Sequence, residues 1–161
     1  MPSPVTVKRS GPGLAQLKAD LARISKSEVL VGIPADKTQR RGDAITNASI
    51  LFIFSKGSPL KKIPARPWLE PAIKLNKDLI TPHLGAAAKA VLDHNPMRAE
   101  RELKLAGTVA ANAARRFPTD PRNAWAPNAP STIRRKKKSD VPGINTGQVR
   151  RALTWVLRQK T

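Results

Sequence analysis

His83 and His94 are the only imidazoles in a chain of 161 residues that contains no cysteine. Transition metals are held by Cys and His sets at short recurring spacings, and two histidines eleven apart match none of them. The lack of cysteine also excludes disulfides, thiolate zinc sites and cysteine nucleophiles. Eleven Asp and Glu residues are scattered without metal-ligand spacing. Asp36 and Asp43 stand seven apart, but inside a basic loop. Ser, His and Asp all occur without the nucleophile-elbow sequence that would present a serine to a substrate. Gly11–Pro12–Gly13 and Pro142–Gly143 read as turns, not as a phosphate cradle. Nothing here supports catalysis, a metal centre or a cofactor. The expectation is a protein that is not an enzyme.

What the chain does carry is charge. Thirty Lys and Arg stand against eleven Asp and Glu, for a net charge of +19 and a pI near 11.5. Such a field repels copies of itself and draws polyanions, so nucleic acid and acidic protein surfaces are the physical candidates for partners. The densest stretch is Arg134–Arg135–Lys136–Lys137–Lys138. On its own it reads either as a solvated loop or as a strip facing DNA or an acidic partner. No RNA-recognition or zinc-finger signature accompanies it. A stacking platform needs exposed aromatics beside the charge. Trp125 lies near the run, whereas Trp155 reads as sheet core. Any nucleic-acid contact would therefore be blind to sequence.

These groups need elements to hold them. The first thirteen residues, MPSPVTVKRSGPG, read as an arm without the apolar core of a signal peptide. Leu14, Leu17, Leu21 and Ile24 recur at helical spacing and predict an amphipathic helix over 14–25. SEVLVGIP, with Val29, Leu30, Val31 and Ile33, predicts a short buried strand. Asp43 is a plausible N-cap for the segment that follows. Within it, Ile50–Leu51–Phe52–Ile53–Phe54 suits a helix or a strand, and Gly57 ends it either way. This is also the longest apolar run, far below the ~20 residues of a membrane span.

LEPAIKLNKDLI and PHLGAAAKAVLDH are helical in pattern, with Thr81–Pro82 either capping a new helix or kinking a long one. Residues 97–117 form the clearest helix, with an Ala-rich face of Leu103, Ala106, Ala110, Ala113 and Phe117. Residues 118–145 read as a long Pro-rich loop holding the basic run. Thr146 can N-cap a short turn over Gly147 to Arg151. ALTWVLRQ predicts a last strand that can pair with SEVLVGI and so join both ends of the domain. The fold class is α+β, a single domain over 14–161: a small mixed or antiparallel sheet packed with three to four helices.

One connector stands out. IPARPWLEP, residues 63–71, packs Pro64, Pro67 and Pro71 around Arg66 and Trp68. Proline fixes φ near −65° and pushes its predecessor to an extended conformation, so residues 63–67 make a stiff strap that aims Arg66 and Trp68. Such a strap serves equally well to dock a neighbour or to clasp its own core.

Three stretches resemble the tail-completion or head–tail joining (neck) proteins of tailed bacteriophages, the group with the HK97-type and Mu-type virion morphogenesis proteins. The first is a strand ending in VGIP, followed by a segment closing on Phe54–Ser55–Lys56–Gly57. The second is IPARPWLEPAI, with Pro64, Arg66, Pro67 and Trp68. The third is WAPNAPSTIRRKKK…PGINTGQVRRALTWVL, with Trp125 and the turn Thr146–Gly147–Gln148. Together they cover roughly residues 27–160. The sequence departs from the family in lacking an acidic residue before the Phe–Gly turn, and in having Ile144–Asn145 where Ile–Asp is more usual.

The resemblance implies a structural connector protein of the virion at the head–tail junction or the top of the tail, assembled in the host cytoplasm. It implies a ring oligomer, hexameric in order, around the DNA conduit. Its neighbours would be neck, tail-terminator or tail-tube proteins, with non-specific contact to DNA and no membrane. In that reading Pro64, Arg66, Pro67, Trp68, Trp125, Thr146, Gly147 and Gln148 anchor the fold or a subunit contact. Two alternatives stand beside it: a tail-terminator ring capping the tail tube, and a free basic nucleic-acid-binding protein.

Overall fold

The computed structural model describes residues 13–39, 45–136 and 139–160. Among them are seven helices and one two-stranded antiparallel sheet, a small α+β fold. The arm expected over residues 1–13 lies outside the described residues except for Gly13, which precedes helix α1 (Leu14–Ser25). The chain then runs through β1 (Ser27–Gly32), α2 (Asn47–Lys56), α3 (Leu69–Leu75), α4 (Lys77–Leu92), α5 (Pro96–Arg116), α6 (Pro130–Arg135), α7 (Gln148–Ala152) and β2 (Thr154–Gln159).

Helix α5 is the axle. Asn95 caps it by accepting from the Arg98 N–H at 3.0 Å, and Pro96 takes the first position, where its missing N–H costs nothing. Its inner face is built from Ala99, Ala106, Gly107, Ala110, Ala111 and Ala114, all buried. Small side chains let α4, α3 and both strands approach its backbone. Gly107 shows how close: a Cβ there would stand 2.7 Å from the Trp155 indole, so this ring from β2 lies on the helix backbone.

The two strands pair as the sequence suggests, with Val29 opposite Leu157 and Val31 opposite Trp155. Side chains alternate across a strand. These pairs turn toward α5, while Leu30 opposite Val156 and Glu28 opposite Arg158 fall on the other face. The Glu28 carboxylate accepts from the Arg158 guanidinium there. The expectation of a buried strand is therefore corrected. A two-stranded sheet with one helix behind it covers one face only, and Leu30 is exposed.

Helix α2 settles the ambiguity of Ile50–Phe54 in favour of helix. Its N-cap is Thr46, whose Oγ1 accepts from the Ser49 N–H at 3.1 Å; Asp43, the expected cap, lies outside the described residues. Asn47 is buried and ties the helix start to the preceding turn through its N–H to the Thr38 carbonyl at 2.7 Å and its Nδ2 to the Gln39 carbonyl at 3.1 Å.

Of the two readings of Thr81–Pro82, a new helix does not start there; the break falls at Asn76, between α3 and α4. Helix α4 continues through Pro82. The proline forfeits one backbone hydrogen bond in the second turn, and the buried Ile80, Ala87, Ala90 and Val91 hold both sides of it in register. At Asn76 the side-chain Nδ2 donates back to the Ala72 carbonyl at 2.8 Å and occupies an acceptor the helix would otherwise use.

Both histidines link elements. His83 contacts Glu102 at 2.9 Å, joining α4 to α5. His94, held at φ 51 between α4 and α5, contacts Asp20 of α1 at 3.1 Å. Helix α1 has no buried residue of its own and packs through Ile24 against Ala90, Val91 and Ala99.

Candidate functional site

The strap begins at a glycine. Gly57 has φ +75, and a Cβ there would meet the Ala65 nitrogen at 2.7 Å and the Ile63 carbonyl oxygen at 2.8 Å. Only glycine lets the strap lie across the end of α2. Ser58 and Ile63 exchange two backbone hydrogen bonds of 2.9 Å around a 3-10 turn, Pro59–Lys61, whose tip carries the fully exposed Leu60. The Arg66 N–H then donates to the Phe54 carbonyl at 2.9 Å. The strap is thereby stapled to the helix that precedes it.

Arg66 and Trp68 both turn inward. Trp68 is 1% exposed, and its Nε1 donates to the Ala114 carbonyl at 2.7 Å. That carbonyl belongs to the last turn of α5, where helix acceptors have no helical partner. Arg66 is 6% exposed. Its Nε and Nη2 converge on the Ala126 carbonyl at 3.0 and 2.8 Å, and Nη2 also reaches the Pro127 carbonyl at 3.0 Å. Its guanidinium carbon lies 5.4 Å from the centre of the Phe54 ring. Burial lowers its pKa from the ordinary guanidinium value, and among the described residues no carboxylate pairs with it. The charge is held by carbonyl dipoles and a ring face.

Trp125 closes the clasp from the other side. Its Nε1 donates to the Pro67 carbonyl at 3.0 Å. Its ring meets Phe54, Trp68 and Phe117 edge to face, with centroids 5.1, 5.6 and 5.4 Å apart. Gly143, at φ +77, sets its backbone against Trp68 and Phe54: a Cβ there would stand 3.0 Å from one ring and 3.2 Å from the other. So the Phe54–Gly57 turn, the strap, Trp125 and the Pro142–Gly143 turn, separated by up to about 90 residues of chain, meet around four aromatic rings. Pro64 stays exposed at the surface.

Other expected site residues fall differently. Thr146 is exposed and does not cap α7; Gly147, at φ 73, takes the cap position, and no side chain bonds the helix start. A glycine in left-handed conformation turns the chain into the helix without that help. Gln148 is half-buried at its first residue. The loop expected over 118–145 is partly regular. Pro118 is the second residue of a 3-10 turn, Pro121 starts another and Pro130 starts α6, each at a position where a proline lacks nothing the helix needs.

The basic run therefore is not one solvated strip. Arg134 and Arg135 are exposed on α6, and Lys136 ends it half-buried, with Nζ donating to the Val141 carbonyl at 2.6 Å. Burial lowers the Lys136 pKa, the Arg66 charge adds to this, and Asp140 opposes it. Lys137 and Lys138 lie outside the described residues.

Asp120 organises the turn before Trp125. Its Oδ1 accepts from the Arg122 N–H and Nε at 2.9 and 3.0 Å, and its Oδ2 accepts from Nη2 at 2.7 Å. Chiefly through the Arg122 side chain, the carboxyl is held at about 2, below its ordinary 3.8. A depressed carboxyl contributes stability above its unfolded pKa and loses it as pH falls through the folded value. The expected result is an Asp120 carboxyl resonance titrating near 2, with its contribution complete above about pH 4 and fading toward 2. In Arg122→Ala the midpoint returns toward 4.

Two clefts flank the turn at residues 144–147. One, of about 790 Å³, lies between the strap and α6 and is lined by Lys61, Lys62, Arg66, Arg135 and Lys136. The other, of about 540 Å³, lies between the ends of α5 and α7 and gathers Arg115, Arg116, Arg150 and Arg151 around Asn112. Sequence reasoning missed this second group. Its signal was two Arg–Arg pairs, each less conspicuous than the run at 134–138 and brought together only by the fold.

The clasp and the clefts define a basic α+β protein in which a proline strap fastens a long loop to the core. Among the described residues no three His, Cys, Asp or Glu gather in a metal-binding group. No helix among them is long and apolar enough to cross a membrane. Comparison with protein-family models, with curated proteins and with solved structures returned no match.

Proposed function

We propose that this chain is a structural, non-catalytic virion protein that completes the tail or joins it to the head, as a subunit of a ring around the DNA conduit. One observation supports the reading above others. The three stretches that resemble the phage neck proteins lie far apart in sequence, yet Phe54, Gly57, Arg66, Trp68 and Trp125 meet in a single clasp. A shared fold needs such residues together, whereas chance likenesses scatter.

The role also suits the physics. Subunits of a cyclic ring meet through heterologous surfaces that close by rotation, and those surfaces must be held rigidly. The clasp supplies that rigidity. A basic surface near DNA gives an attraction indifferent to sequence, which a conduit tolerates.

The test is localisation. A label at the C-terminus of the chain, imaged on purified virions by electron microscopy, is expected at the head–tail junction or the top of the tail. Virions without label, with the chain recovered on host nucleic acid, would overturn this reading. The net charge of +19 would then favour a free nucleic-acid-binding protein.

A further inference from the structure

We infer that the cleft formed by Arg115, Arg116, Arg150 and Arg151 is a binding site for the phosphodiester backbone of double-stranded nucleic acid. In this inference the conspicuous run at 134–138 plays the lesser part. The inference goes beyond the assembly reading, because it concerns the isolated chain.

The first ground is charge without compensation. Four guanidinium groups line one cleft of about 540 Å³ that includes no Asp or Glu. Five acidic side chains are engaged elsewhere, Asp20 with His94, Glu28 with Arg158, Glu100 with Lys104, Glu102 with His83 and Asp120 with Arg122, and Asp36, Glu70, Asp78, Asp93 and Asp140 do not line the cleft. Asp120 shares a neighbouring cavity with Arg116, but its two oxygens are taken by Arg122. Among the described residues none of the four arginines forms an ion pair.

The second ground is preorganisation. The Arg115 Nε donates to the Leu153 carbonyl at 2.9 Å and its Nη1 to Asn112 Oδ1 at 3.0 Å, so this guanidinium is fixed in place. The Arg151 guanidinium lies over Gly147, whose missing side chain leaves room for it: a Cβ there would be 3.2 Å from Nη1. Both helices supply a pair of adjacent arginines at their C-terminal ends, where cations are favoured.

The third ground is extent. The cleft shares Ile144 and Gly147 with the larger one, which adds Lys61, Lys62, Arg135 and Lys136 and also includes no Asp or Glu. The two form one basic face on either side of the turn at 144–147.

The chemistry favours phosphate over an acidic protein segment. Arginine forks pair with phosphate oxygens in two parallel hydrogen bonds. A protein partner needs apolar surface to bury at its centre, and this cleft offers only Ile144. It also has no aromatic ring on which an unpaired base would stack, which favours a duplex over a single strand.

The test uses the purified chain and a labelled DNA duplex of mixed sequence, with anisotropy followed over a salt series. Each phosphate contact adds about 0.9 to the slope of log K against log salt. The triple variant Arg116→Gln, Arg150→Gln, Arg151→Gln is expected to lose roughly 2 to 3 from that slope. The triple Arg134→Gln, Lys137→Gln, Lys138→Gln removes the same charge from the run and is expected to lose less. If half-buried Arg150 proves necessary for folding, the exposed pair Arg116→Gln, Arg151→Gln replaces the first triple, with a loss of roughly 2. Equal losses in the two sets would mean that binding follows net charge alone and would overturn the site. Binding of polyglutamate as tight as that of the duplex would overturn the nucleic-acid assignment in favour of an acidic protein partner. Neither result depends on whether the chain is found in virions.

Discussion

Trp68→Ala is expected to lower the melting temperature by roughly 10 °C or more. The indole is almost fully enclosed. Replacing a buried large aromatic with alanine costs about 3 to 5 kcal/mol, through lost transfer energy and the cavity left behind. For a chain of this size each kcal/mol corresponds to roughly 2 to 4 °C. Two further losses push the effect to the high side. The Ala114 carbonyl, at the end of α5, loses its donor. Trp125 and Phe54 each lose an edge-to-face partner.

Trp68→Phe separates these contributions. It keeps a ring in the cluster but cannot donate to Ala114, so it is expected to fall between wild type and the alanine variant. Thermal unfolding followed by circular dichroism measures all three. An alanine variant that melts with wild type would mean that Trp68 does not hold the strap to the core, and the clasp would then have to rest on Arg66 and Trp125.

Much of this fold was legible because it depends on periodicity. The spacing of Leu14, Leu17, Leu21 and Ile24 fixed the limits of α1, and the apolar content of SEVLVGI and ALTWVLRQ was enough to pair the first strand with the last. Boundaries set by a single hydrogen bond were not legible. Thr46 and not Asp43 starts α2, and Asn76 and not Pro82 divides α3 from α4. In both cases a side chain of three or four heavy atoms decides, and several such candidates stand within a few residues of each other.

The candidate site shows the same division. Arg66, Trp68 and Trp125 were visible because an Arg and a Trp between prolines are unusual. The direction they point was not visible. A stiff strap can aim its side chains at a neighbour or at its own core, and only the packing of Gly57 and Gly143 against strap and rings decides between these. The arginine cleft was hidden for another reason. Charge density along a sequence favours runs such as 134–138, whereas density in space depends on which helix ends converge. In the folded chain the described part of the run, Arg134 to Lys136, is divided between an exposed helical turn and a half-buried lysine, and the uncompensated guanidinium groups gather at the ends of α5 and α7.

Arg66→Lys is expected to destabilise the protein by about 2 to 4 kcal/mol, although the charge is unchanged. Hydrogen bonds from a charged donor are worth about 1.5 to 3 kcal/mol each, and lysine cannot reproduce a planar fork that reaches the Ala126 and Pro127 carbonyls together. It would leave a strongly hydrated ammonium in a site where the arginine is 6% exposed.

Arg66→Met provides the contrast. Methionine fills similar space without a buried charge, and the freed carbonyls sit on exposed residues where water can reach them. Its global cost is therefore expected to be smaller than that of lysine, as when a buried ion is replaced by an apolar side chain. Local order should respond differently. Both variants release the loop at 126–127, so amide exchange across residues 125–136 is expected to quicken in both, while exchange in α5 quickens only as far as global stability falls. Denaturant unfolding gives the global term and hydrogen exchange the local one. If Arg66→Met left loop exchange at the wild-type rate, the aromatic contacts of Trp125 alone would be fastening the loop, and Arg66 would owe its burial to something other than the clasp. If it quickened exchange with little global loss, Arg66 would be a latch. It would set where α6 and the basic clefts stand relative to the core, at little consequence for whether the core folds.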